Sequence, residues 1–147
     1  MIDPLFLNRK INFIKRDLGR LEEFKSLTFN QAAKDWRNYS IIKNLLLEII
    51  GRGIDINQHL IAELAGPDTA APLDYTETFL KLGEIKVLPK KFAEQISKSA
   101  GFRNAIVHGY NDLDEWTVYQ SVGDALREYT KYCRYILKFL SKHSSKK

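Results

Sequence analysis

The sequence predicts an all-α protein, an antiparallel bundle of four principal helices with one short extra helix. Apolar residues recur at three- and four-residue intervals through four long stretches. No stretch alternates apolar with polar residues as a half-buried strand does. At 147 residues, 44% hydrophobic and 28% charged, the chain suits one packed domain over 1–147 that needs no disulfide to hold it.

Asp3-Pro4 opens the first helix, because Asp caps free first-turn amides and Pro has no amide proton to leave unpaired. Leu7, Ile11, Ile14, Leu18 and Leu21 then make one apolar stripe, ending near Phe24. After a turn-like Ser26 to Asn30, the stretch Gln31 to Ala65 predicts one long helix, in which Gly51 and Gly53 permit a kink. Each glycine weakens a helix by about 1 kcal/mol relative to Ala. Gly66-Pro67-Asp68 ends that helix, and the segment through Pro72 is the longest expected loop.

Tyr75 to Leu82 reads as the short helix, closed near Gly83. Pro89 opens another that runs toward His108, with Phe92, Ile96, Ala100 and Val107 on its stripe and Arg103 on the same line. Gly109 is the expected stop, since glycine takes the left-handed position after a last turn at least cost. The final helix starts near Asp112 or Asp114 and runs to about Lys142, with Val118, Val122, Ala125, Tyr129, Tyr132, Ile136 and Leu140 on one face. Residues 143–147 form a solvated basic tail.

Lys and Arg number 23 against 18 Asp and Glu, a net +5 that admits a nucleic-acid partner without demanding one. Cys133 is the one cysteine, and His59, His108 and His143 are scattered, so neither a metal centre nor a cofactor site is expected. The N-terminal stretch mixes Asp, Asn, Lys and Arg with its apolar residues, which speaks against a signal peptide or membrane span and for a reducing cytoplasm.

The segment Gly101 to Tyr110 stands apart, with Arg103, Asn104, His108 and Tyr110 inside eight positions. It resembles the Arg-x4-6-His signature of the HEPN superfamily. In the form Arg-Asn-x3-His-x-Tyr it is similar to the HepT class of toxin ribonucleases. The stretches Tyr39 to Ile42, Ile54 to Ile61 and Thr78 to Gly83 are similar to that class as well, so the resemblance covers most of the chain.

RNA cleavage without a metal needs a group that moves the 2′-hydroxyl proton and cationic donors on the crowded phosphate. His108 suits the first task, its side chain having an unperturbed pKa of about 6.5. Arg103 suits the second, because its planar fork reaches two phosphate oxygens and keeps its charge. Asn104 and His108 stand at i and i+4, where a hydrogen bond between them would orient the imidazole. Arg103 and His108, however, lie about 140° apart around an ideal helix, so one helix alone does not converge them.

The resemblance supplies the rest. It implies the toxin of a type VII-like toxin–antitoxin pair, a metal-independent endoribonuclease with Arg103 and His108 as catalytic residues and Asn104 in support. It implies a homodimer whose two motifs line one cleft, and 2′,3′-cyclic phosphate and 5′-hydroxyl products. It also implies that Tyr110 accepts AMP from a cognate MntA-like nucleotidyltransferase antitoxin, placing charge and bulk beside His108.

Plainer readings stand beside these. Taken singly, Arg103 reads as a buried salt-bridge partner, His108 as a cation favoured at a helix C-terminus, and Tyr110 as a packed ring. Asp55 and His59 read as a solvated helix pair, and Tyr119, Tyr129, Tyr132 and Tyr135 as core or dimer packing rather than base-stacking groups. The rival function is a noncatalytic helical module that docks a nucleotidyltransferase partner.

Overall fold

A computed structural model describes residues 1–108 and 113–144, Ser144 by its backbone alone. Six α-helices follow one another: α1 (Pro4–Glu22), α2 (Trp36–Ala65), α3 (Pro67–Ala70), α4 (Tyr75–Glu84), α5 (Lys90–Val107) and α6 (Glu115–Ser144). A π-helical turn, Asn30–Lys34, precedes α2. α1, α2, α5 and α6 are the four principal helices expected.

Contacts between them fix an up-down-up-down order. The start of α1 meets the end of α2, where the Asp3 amide donates to His59 Nε2 at 3.0 Å and Lys10 reaches Asp55 at 2.9 Å. Ser99 of α5 meets Tyr129 of α6 at 2.7 Å, and the Tyr132 hydroxyl donates to the Gly53 carbonyl of α2 at 3.0 Å. The last turns of α5 therefore lie beside the middle of α2 and the first turns of α6. The opposite end of the bundle gathers the α4–α5 turn with the close of α6.

The four apolar stripes meet in one core, in which Leu7, Ile11, Ile14, Leu46, Ile49, Phe79, Ile96, Tyr129 and Tyr132 are fully buried. Burying each such side chain contributes about 1.5–3 kcal/mol. Asp17 is buried too, but it is enclosed by Arg16, Arg20 and Arg52, so its charge is met inside the fold.

Several boundaries differ from the sequence expectation for identifiable reasons. α2 begins at Trp36 rather than Gln31, because the Asp35 carboxylate accepts from the amides of Arg37 and Asn38 and sets the start there. Gly51 and Gly53 lie inside an unbroken α2. A Cβ at Gly53 would come within 3.0 Å of the Tyr129 ring, so this glycine serves close helix packing. The expected long loop after Gly66 contains the one-turn α3.

α4 closes one residue past Gly83. It runs to Glu84, and the left-handed residue after it is Lys86, with φ of 66°. Gly83 instead lies under α5, where a Cβ would stand 2.8 Å from that of Ala93. α6 starts where Asp114 caps it, accepting from the Trp116 amide at 3.1 Å, and it continues through His143 and Ser144. The expected stop at Gly109 and the tail residues 145–147 lie outside the described residues.

Candidate active site

Arg103 and His108 occupy the last turns of α5, with His108 as the C-cap in helical geometry at φ −77° and ψ −8°. The angular separation expected from the sequence is therefore kept, and the two side chains occupy different surroundings. Arg103 is half-buried, turned toward α2 and α4. His108 is exposed at the helix end, its amide donating to the Asn104 carbonyl at 3.1 Å. That main-chain bond is what joins the two: the Asn104 side chain is exposed and makes no hydrogen bond among the described residues, so the expected Asn104–His108 side-chain bond is not formed.

The salt-bridge reading of Arg103 does not hold. No carboxylate pairs with its guanidinium among the described residues, and its buried Nε has no hydrogen-bond partner. Buried N–H groups are almost always satisfied, so this one leaves Arg103 a charged donor that an anion can take up. Two neighbours hold it. The guanidinium carbon lies 5.4 Å from the centre of the Tyr75 ring, within cation–π range. On the α2 side it lies against Gly51, where a Cβ would stand 3.5 Å from Nε, an ordinary van der Waals distance.

Tyr75 is itself strongly placed. It opens α4, whose cap is a reciprocal box between Asp74 and Glu77. Its carbonyl accepts from the Thr78 hydroxyl at 2.7 Å. Thr78 Oγ1 accepts in turn from Asn57 Nδ2 at 3.2 Å, and Asn57 Oδ1 from the Tyr132 hydroxyl at 2.5 Å. This buried polar chain ties α6 through α2 to the residue beneath Arg103. Sequence reading missed Tyr75, because it is not near Arg103 along the chain.

Other expected residues sort differently. Asp55 and His59 do not pair with each other; Asp55 binds Lys10, and His59 holds the α1 start and packs 5.0 Å from the Phe6 ring. Tyr129 and Tyr132 are core residues, as their spacing suggested, and Cys133 is buried, which pushes its thiol up to about 11. Tyr110 lies outside the described residues. Among the described residues no three His, Cys, Asp or Glu side chains stand together as a metal site, and no helix is long and apolar enough to cross a membrane.

Neither Arg103 nor His108 lines the cleft between the α4–α5 turn and α6 or the cleft between α5 and α6. Beside them Tyr75 and Val107 are 39% and 51% exposed.

Residues 14–136 match the family model described as "Ribonuclease HepT-like". The chain belongs to the HepT-like ribonucleases. A curated member, the tRNA nuclease HepT of Aphanizomenon flos-aquae (strain 2012/KM1/D3), is 31% identical over 141 residues, covering 95% of this chain and 92% of that protein. Among solved structures, the tri-AMPylated Shewanella oneidensis HEPN toxin in complex with MNT antitoxin superposes with a TM-score of 0.79 at 22% identity, over 90% of this chain and 97% of the other. A toxin–antitoxin structure with AMP-PNP gives the same TM-score at 21% identity, over 90% and 98%. The all-α fold is thus the HEPN fold, and membership of the HepT-like family makes this chain an endoribonuclease.

Proposed function

We propose that this HepT-like ribonuclease is the toxin of a toxin–antitoxin pair and cuts RNA without a metal, with tRNA as its substrate class. The observation that carries the reading is Arg103, a cation packed over the Tyr75 ring with no carboxylate paired to it among the described residues. In the proposed reaction His108 takes the proton of the 2′-hydroxyl, and the 2′-oxygen attacks the adjacent phosphorus. The bond from phosphorus to the 5′-oxygen breaks, leaving a 2′,3′-cyclic phosphate, and the departing oxygen takes a proton to become a 5′-hydroxyl. Arg103 holds the non-bridging oxygens as charge gathers on them. Asn104 sits beside this pair as a supporting polar group.

Tyr110, two residues past His108, is the proposed acceptor of AMP from a cognate nucleotidyltransferase antitoxin, by analogy with the AMPylated structural relative. The tRNA assignment follows the name of the curated relative. A homodimer of single-domain chains completes the reading, because Arg103 and His108 lie about 140° apart around one helix.

The test is cleavage of a labelled tRNA transcript in excess EDTA by wild type, Arg103→Ala and His108→Ala. Wild type is expected to cut and to leave cyclic phosphate. Each variant is expected to lose at least about 100-fold in rate with its helical circular dichroism unchanged. Full activity in either folded variant removes that residue from the chemistry. A Tyr110→Phe protein is expected to escape the added mass of AMP on co-expression with the antitoxin, and to stay toxic. A noncatalytic docking module would show no cleavage in any form.

A further inference from the structure

At the end of the bundle opposite Arg103, a cleft of about 920 Å³ opens between the α4–α5 turn and the last turns of α6. Its size is at the upper end of the ~300–1,000 Å³ of small-ligand pockets. Lys86, Lys90, Lys138 and Lys142 stand around it, over a floor that includes Tyr135 and Phe139. Against these four lysines it carries two glutamates, and one of them, Glu84, is tied to Lys81 at 3.2 Å. Lys86, Lys90 and Lys138 make no ion pair among the described residues, unlike Lys10, Lys34 and Lys81 elsewhere on the surface.

Lys86 adds an independent observation. The turn that ends α4 closes with the Val87 amide on the Leu82 carbonyl at 2.9 Å and the Lys86 amide on the Gly83 carbonyl at 3.2 Å. That pattern puts its left-handed position at Lys86, where glycine is the residue of least strain. The chain places a lysine there, at the rim of the cleft. A local rule broken without a packing gain is a mark of a functional position.

We propose that this cleft is a second RNA-binding site, a phosphate-backbone anchor for the strand whose scissile bond lies at Arg103 and His108. The proposal rests on the ribonuclease reading of this chain. Lys90 and Arg103 are 13 positions apart on one helix, so the anchor lies about 20 Å along α5 from the cleavage end. A strand spanning both is held at two points, which favours long RNA over short fragments. The lysines neutralise phosphates, and the aromatic floor offers bases a face to lie against.

The experiment uses a fluorescent tRNA transcript and the full chain, with His108→Ala present in the binding arm to prevent turnover. Lys90→Gln/Lys138→Gln is expected to weaken binding about 5–10-fold at 150 mM salt. The slope of log affinity against log salt is expected to become shallower by about 0.7 for each lysine removed. In the active protein the same pair is expected to raise KM and leave kcat at saturating RNA unchanged. Unchanged affinity and salt slope, in a protein that still binds and cuts RNA, overturn the anchor and leave the ribonuclease reading standing. Loss of antitoxin binding with RNA affinity intact overturns it in favour of a protein partner. A wild-type protein that neither binds nor cuts RNA overturns both readings.

Discussion

Tyr75 presents its ring to Arg103 while its main chain is fixed by the Asp74–Glu77 cap and by the hydrogen bond from Thr78. It acts as a positioning residue, since nothing in its role needs the hydroxyl to touch substrate. Tyr75→Ala is expected to lower kcat by about 3–30-fold, the equivalent of about 0.5–2 kcal/mol of cation–π attraction. Tyr75→Phe, which keeps the ring, is expected to restore the rate. Equal losses in both variants would remove the ring from the account. Glu128 is the other residue with a readable charge state. It is half-buried beside the cleft between α5 and α6, and burial, with Asp124 next in weight, pushes its carboxyl up to about 7 against the pull of Arg127, Lys98 and Lys131. A carboxyl raised in the folded state holds its proton where the unfolded chain has released it, so stability falls as pH rises from about 5 to 7 and stays lowered above. Glu128→Gln is expected to flatten that fall and to raise Tm at pH 8 by about 2–5 °C, with little change at pH 4.5. Parallel melting curves for the two proteins across that range would contradict it.

Among the elements, the turn between α4 and α5 makes the sharpest demand. Its left-handed Lys86 costs about 1 kcal/mol of strain that glycine does not incur. Lys86→Gly is therefore expected to stabilise the fold by about 0.5–1 kcal/mol, read as a higher urea midpoint at unchanged slope. A lower midpoint would mean that the lysine stem makes contacts worth more than the strain. The same turn shows what the sequence could and could not convey. Leu7 through Leu21, the α2 run and the α6 face announced their helices because periodicity is local, and Asp3-Pro4 announced the α1 start by its capping chemistry. The close of α4 near Gly83 was legible too, although Gly83 is small for a tertiary reason, the crossing of α5 at Ala93. Gly51 and Gly53 stand in the one long helix the sequence led one to expect, and Gly53 is small there to admit the Tyr129 ring. At the site, the spacing of Arg103, Asn104 and His108 was legible. Tyr75, brought in by a chain of buried hydrogen bonds from Tyr132, was not.

For the whole molecule, the separation of Arg103 from His108 becomes a question of assembly. The two stand about 140° apart on a helix that is regular to its C-cap. Tyr75 and Val107 beside them are exposed among the described residues. A second protomer related by a two-fold axis would bring the Arg103 of one chain to the His108 of the other and the converse, giving two shared sites. Complementation measures this directly. Arg103→Ala and His108→Ala proteins are each expected to be inactive alone. Unfolded together and refolded as an equal mixture, half of the dimers are mixed, and each mixed dimer regains one site of two. The mixture is therefore expected to recover about one quarter of wild-type activity, a fraction fixed by the symmetry of the pair. A mixture as inactive as its parents, with exchange of protomers shown by native mass spectrometry, would place Arg103 and His108 of the same chain in one site and require α5 to distort on binding RNA.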